Sequence, residues 1–200
     1  MIKVGLTGSI ATGKSFVVSV LAEEGCHVLD ADQTSRDVVA LGTEGLAEIV
    51  RNFGEGVLLP TGELDRKALG AIVFADEKKR VLLNSIVHPH VIHAQDAWIR
   101  SVEAQDPNGI AVIDAALMIE SGGYKRFDKL IVVWCEPDIQ LARLRLRDDL
   151  SLEDAQKRIA SQMPQDEKKS FADYLIDTSD GFDDTRERTK TVIRAIKDKG

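Results

Sequence analysis

Apolar positions along the chain follow two alternating patterns. Residues 2–6 form a short continuous apolar run, and similar runs return at 26–32 ("CHVLDAD"), 109–114 ("GIAVID"), 129–135 ("KLIVVWC") and 174–177 ("YLID"). Short runs of this kind read as strands covered on both faces. Between them the apolar residues recur at helical spacing. Val17, Val20 and Leu21 share one face of a helix over residues 13–24, with Gly25 as its stop. Residues 33–40 read as helical, and residues 43–54 as a further helix ending at Gly54. Pro60 and Thr61-Gly62 mark a turn. Residues 65–105 are mostly helical, with Leu69, Ile72, Val73, Leu82, Leu83, Ile86 and Val87 apolar; Pro89 is expected to interrupt this stretch and start a new helix. Pro137 opens a helix through about Arg147. Residues 150–162 form another, where Ser151 and Asp154 come close to a capping box. A polar helix follows the last strand.

Strands alternating with helices predict a parallel α/β sheet with helices on both sides. The helical region at about 60–106 is too long for a simple crossover and is expected to form a subdomain over the C-terminal edge of the sheet. A chain of 200 residues suits one domain with such an insertion. Hydrophobic residues make up 44% and charged residues 30%, with a net charge of −7. That balance argues against nucleic acid or a membrane surface as the main partner, and leaves room for a local anion site. Cys26 and Cys135 lie far apart and outside any CxxC pair, so they read as small buried hydrophobes in a reducing, cytoplasmic setting. The apolar N-terminal run is broken by Gly5 and Gly8, and nothing approaches the roughly 20 apolar residues of a membrane span. Oligomeric state leaves no mark on the sequence.

The run "GSIATGKS", Gly8 to Ser15, fits G-x-x-x-x-G-K-[ST] between a strand and a helix. Backbone N–H groups in such a loop converge on an anion-sized hollow, to which the helix start adds its positive end. Lys14 supplies a full charge for the β- and γ-phosphates of ATP, and the Ser15 hydroxyl completes the coordination of Mg²⁺. Gly8 and Gly13 permit the tight path. Glycine used for geometry alone would explain Gly8 but not a Lys-Ser pair at the required offset.

Two further clusters stand out. The second strand runs into "LDAD", and carboxyl ends of parallel strands are where ligands gather. Asp32 suits a base for an attacking hydroxyl, or a holder of the water around Mg²⁺; the plainer alternative is a helix N-cap with an ion pair to Arg36. Asp114 ends another strand and suits indirect Mg²⁺ contact or capping of the next turn. The segment "LARLRLRDDLSLEDAQKRIASQ" carries Arg143, Arg145, Arg147 and Arg158 in an otherwise acidic chain. Arg143 and Arg147 share a helix face and could close over a triphosphate, whereas Arg145 points elsewhere and reads as solvated.

Taken together, "GLTGSIATGKS", "DAD" followed by Arg36, "LNSIVHPHV", "LMIE" after Asp114, the arginine segment and "ADYLID" resemble the dephospho-CoA kinase family over nearly the full length. The resemblance implies a P-loop three-layer sandwich with a five-stranded parallel core, a helical CoA-side subdomain and a lid at about 148–168. It implies transfer of the γ-phosphate of ATP to the ribose 3′-hydroxyl of dephospho-CoA. Residue by residue, it implies ATP binding by Gly8, Ala11, Thr12, Gly13, Lys14, Ser15 and Phe16. Asp32 becomes the base, Arg36 and His88 (beside Pro89) fall on the acceptor side, Arg147 and Gln162 in the lid, and Asp173 in the late Ala-Asp element. Ser9 and Phe16 depart from the family pattern, where glycine and threonine are usual. Ala116, Ile119 and Thr178 also depart from it.

Two other readings compete with this one. Another nucleoside or nucleotide kinase would use the same loop. A nucleotide-regulated switch would be expected to carry an N-K-x-D guanine motif, and neither "FDKL" nor "DPNG" fits it.

Overall fold

The computed structural model describes residues 1–198. In chain order the elements are β1 (Ile2–Gly8), α1 (Lys14–Glu23), β2 (His27–Asp30), α2 (Ala31–Asp37), α3 (Glu44–Phe53), α4 (Arg66–Ala75), α5 (Glu77–Gln105), β3 (Ile110–Asp114), β4 (Lys129–Trp134), α6 (Pro137–Asp148), α7 (Leu152–Ala160), α8 (Gln165–Lys169), β5 (Tyr174–Asp177) and α9 (Phe182–Lys197). The chain divides into two compact units. One joins Met1–Leu29 to the chain from Val102 onward, and the other is Asp30–Ser101.

The first unit carries the sheet, ordered β2-β3-β1-β4-β5, parallel and flanked by helices as the alternation of patterns predicted. In register, Val4 of β1 pairs with Val112 of β3 and with Lys129 of β4. Val4, Leu6, Val112, Ile131, Val133 and Ile176 from the strands pack with Val17 and Leu21 of α1 and Ile193 and Ile196 of α9. Each such buried side chain contributes about 1.5–3 kcal/mol relative to exposure, so the helix start at Lys14 is anchored by the core behind it. The adjacent strands β1 and β4 send their connections to opposite edges, β1 to β2 and β4 to β5. That reversal opens a crevice beyond the strand ends, where open α/β sheets bind ligands.

The second unit is helical and has its own apolar cluster of Val39, Ile49, Val57, Leu69 and Ile86. Its helices are stopped and started by side chains the sequence supplies. Thr43 caps α3, accepting from Leu46 N–H, and Asp65 caps α4, accepting from Lys67 and Ala68. The unit begins at Asp30, earlier than the helical stretch marked out by pattern alone.

Three local expectations need correction. Helix α5 continues through Pro89 without a break. Proline removes one hydrogen bond to the preceding turn and costs about 3 kcal/mol in a helix interior, yet the 29-residue helix has cluster-forming residues such as Leu82, Leu83, Ile86 and Val87 to hold it. The second strand ends at Asp30 rather than Asp32, and Ala31 already belongs to α2. The five-residue helix α8 has no counterpart in the apolar pattern, being "QDEKK" in sequence. Among the described residues, no helix is long and apolar enough to cross a membrane.

Candidate active site

In the first unit the chain leaves β1 at Gly8, turns, and enters α1 at Lys14. Gly8 has no room for a side chain: a Cβ there would lie 2.7 Å from the Val133 carbonyl and 2.9 Å from Thr12 Oγ1. Gly13 has φ 83°, in the left-handed region that favours glycine. Ala11 occupies the same region at φ 61° and Ser9 does not, so the loop's strain falls on Ala11.

Long-range hydrogen bonds hold the loop from behind. Thr12 Oγ1 donates to Ser9 O at 2.8 Å, and Thr178 Oγ1 donates to Thr12 O at 2.7 Å. Thr178 is itself gripped by Arg143, whose Nη1 reaches Oγ1 at 2.8 Å and Nη2 the carbonyl at 2.7 Å. Gln140 Nε2 donates to Ile10 O, while Gln162 Oε1 accepts from Ile10 N–H, both at 2.8 Å. Gln165 braces Gln140 by donating to its Oε1 at 2.9 Å.

The start of α1 differs from the capped helices. Side chains close α2, α3, α4 and α7, the last through Ser151 as the sequence indicated. α1 has neither a side-chain cap nor an acidic residue in its first turn. Its orphan N–H groups and positive dipole end therefore face an opening rather than a protein carboxylate. Lys14 Nζ stands beside them and donates to the carboxylate of Asp114 at the end of β3, both side chains mostly buried. Ser15 is exposed at the same end.

The opening is a cavity of about 620 Å³. Gly8, Ala11, Thr12, Gly13, Lys14, Ser15 and Phe16 line it, together with Arg143, Arg147 and Gln162. Arg143 is therefore part of the wall and of the loop's scaffold. Arg145, pointing elsewhere, donates to Leu150 O at 3.4 Å. Arg147 makes two bonds to Asp148, at 2.7 and 3.0 Å, and Arg158 binds the same carboxylate. The Arg147 guanidinium holds the Asp148 carboxyl below its ordinary range, and Asp148 raises Arg147 in turn. Phe16, in place of a hydroxyl residue, packs its ring against Phe182.

Asp32, Arg36 and His88 belong to the second unit. Asp30, not Asp32, caps α2: its Oδ1 accepts from Asp32 N–H at 2.7 Å and Gln33 N–H at 3.0 Å. The capping and ion-pair alternative for Asp32 is thereby excluded. Its carboxylate is exposed on the first turn, and no ion pair joins it to Arg36 among the described residues. Arg36 is exposed one turn further along α2, and His88 is exposed on α5. Asp173 has a structural role, accepting from Leu130 N–H at 2.8 Å. Gln140 and Thr178 went unrecognised as scaffold residues, because each meets the loop across more than a hundred residues of sequence.

A parallel sheet whose central strand runs through a glycine-framed, uncapped loop into a helix bearing Lys14 and Ser15 defines a P-loop nucleotide-binding protein of the kinase class. The model of the dephospho-CoA kinase family matches residues 2–184, and the chain belongs to that family. The chain is 44% identical over 198 residues to the dephospho-CoA kinase of Listeria monocytogenes serotype 4b (strain F2365), covering 98% of each. Among solved structures, TT1252 from Thermus thermophilus superposes with a TM-score of 0.83 at 29% identity, covering 97% of this chain and 96% of that one. The dephospho-CoA kinase from Campylobacter jejuni gives 0.74 at 28% identity, with 98% and 97% covered.

Proposed function

We propose that this chain phosphorylates the ribose 3′-hydroxyl of dephospho-CoA with ATP, giving CoA and ADP, and that its residues divide the work as follows. The loop from Gly8 to Phe16 grips the polyphosphate with main-chain N–H groups, and Lys14 neutralises the β- and γ-oxygens. Asp32 orients the 3′-hydroxyl and accepts its proton as the oxygen bonds to the γ-phosphorus and the bond to the β–γ bridging oxygen breaks. Its free carboxylate suits that task, since the capping duty falls on Asp30. Arg147 exchanges Asp148 for the charge that develops on the transferred phosphoryl group.

Arg36 and His88 bind the acceptor, on the side formed by the helical region at about 60–106. The segment at about 148–168, which contains α7 and Gln162, acts as the lid. Ser15 and Asp114 offer hard oxygen donors for Mg²⁺, and no cluster of three or more His, Cys, Asp or Glu among the described residues provides a site without the nucleotide. When bound, Mg²⁺ would neutralise charge on the β- and γ-oxygens. The buried, unpaired Cys26 and Cys135 suit a reducing cytoplasm.

The observation that carries this reading is the shared cavity: the whole motif loop, Lys14 and Arg147 line one space beside an uncapped helix start. The deciding experiment follows dephospho-CoA by mass in the presence of ATP and magnesium, with adenosine and AMP as control acceptors. One added phosphoryl group on dephospho-CoA alone supports the reading. Phosphorylation of a control acceptor in its place overturns it.

A further inference from the structure

The cavity extends beyond the phosphate loop, past Phe16, to the start of α9, and the chemistry of that far end bears on which nucleotide the enzyme takes. Phe16 and Phe182 meet there with ring centroids 4.7 Å apart at 59°. The guanidinium of Arg186 lies 5.5 Å from the centre of the Phe16 ring and is tethered by an ion pair to Glu23. Phe182 is 73% exposed and Leu146, also on the cavity wall, 88% exposed. Large apolar side chains at a cavity rim offer flat area to a planar ligand.

The polar groups at this end are already committed. Arg143 is spent on Thr178, and Thr178 Oγ1 on Thr12 O. Thr185 Oγ1 donates to Gly181 O at 2.6 Å, and that carbonyl also accepts from Thr185 N–H at 3.2 Å, which uses both of its lone pairs. What is left over is a set of N–H donors, because α9 starts at Gly181 without a side-chain cap. Selecting adenine over guanine requires an acceptor for the 6-amino group, or a group that repels the guanine 6-oxo. A wall of donors and aromatic carbon supplies neither.

We propose that Phe182, seated against Phe16, holds the donor's base by stacking alone, so that the enzyme uses GTP nearly as well as ATP. This rests on the cavity being the donor site, as argued above. The pair is a property of this chain's own residues, since position 16 departs from the threonine usual in the family.

The test measures kcat/KM for ATP, GTP and CTP with dephospho-CoA, together with equilibrium binding of ATP and GTP to the intact protein. The expected kcat/KM for GTP lies within about tenfold of that for ATP, with CTP lower because its base offers less stacking area. Phe182→Ala should raise KM for ATP and GTP by a similar factor, roughly tenfold, with kcat little changed, and Phe182→Tyr should restore both. Phe16→Thr should weaken both nucleotides in the same proportion. A preference for ATP above about a hundredfold overturns the proposal, and so does a loss in Phe182→Ala confined to one nucleotide. Binding of ATP without GTP overturns this inference and leaves the donor site in place. Binding of neither overturns both.

Discussion

The Oε1 atom of Gln162, from the segment after α7, accepts the N–H of Ile10 at 2.8 Å in the middle of the phosphate loop. Gln162 also lines the cavity, so its amide stands where phosphate oxygens compete for the same N–H. A neutral hydrogen bond contributes about 0.5–1.5 kcal/mol net. Gln162→Ala should therefore tighten ATP binding by roughly two- to tenfold, and Gln162→Glu, a charged competitor, should weaken it. Titration calorimetry reads the sign directly. Weaker binding in the alanine variant would mean that the amide contacts the nucleotide instead.

Lys14 and Asp114 form the second relationship with a measurable consequence. Lys14→Met should lower kcat/KM for ATP by roughly 10²–10³-fold, the scale of losing a preorganised charge at a reacting centre. An unchanged value would remove Lys14 from the mechanism. Asp114→Asn should raise the magnesium concentration needed for half-maximal rate while leaving the fold intact, which a magnesium titration of the initial rate checks.

Asp32→Asn should lower kcat by about 10²-fold or more, the scale of a lost general base, with ATP affinity kept. The substitution leaves the α2 cap in place, because Asp30 supplies it. A thermal melt should therefore be unchanged, and near-normal turnover would end the assignment.

Gly8→Ala forces a Cβ to within 2.7 Å of the Val133 carbonyl, which sits in a sheet strand and cannot yield. Overpacking of this kind costs about 1–3 kcal/mol. Urea unfolding should show a lower midpoint with an unchanged slope, and ATP binding should be lost along with the loop's path.

Burial pushes the Cys26 thiol from 9.0 to about 11, and it also raises Cys135. A folded value above the unfolded one favours the protonated thiol in the native state. The stabilisation it brings is complete below about pH 9 and is lost as pH rises through about 11. Denaturant midpoints should therefore fall over that window and recover in Cys26→Ala. At pH 8 neither thiol of the native protein should react with a disulfide reagent, and both should react in urea.

Several features were legible in the chain because they are local. The five strands are short apolar runs, and the phosphate loop is eight consecutive residues whose spacing carries its own mechanism. The Ser151 cap could be read for the same reason. Propensity misled at Pro89, where apolar packing of α5 outweighs the missing hydrogen bond. Composition misled at α8, whose polar sequence shows no amphipathic stripe although Lys168 is fully buried, donating to Ala116 O and paired with Glu120. At the strand–helix junction two aspartates stand two residues apart, and pattern alone could not say which one caps.

By itself the sequence determined the order of strands and helices, the loop that meets phosphate, and the family. Each of these depends on residues near one another along the chain, where bond geometry and side-chain spacing suffice. Only the tertiary structure decided which carboxylate caps α2, what braces Ile10 and Thr12, and that Phe16 faces Phe182. Those outcomes join residues that folding brings together across long separations, such as Ile10 with Gln140 and Gln162, and Thr12 with Thr178. The physical reason is that a buried polar group takes whichever partner the packed core delivers to it, and no local pattern encodes that choice.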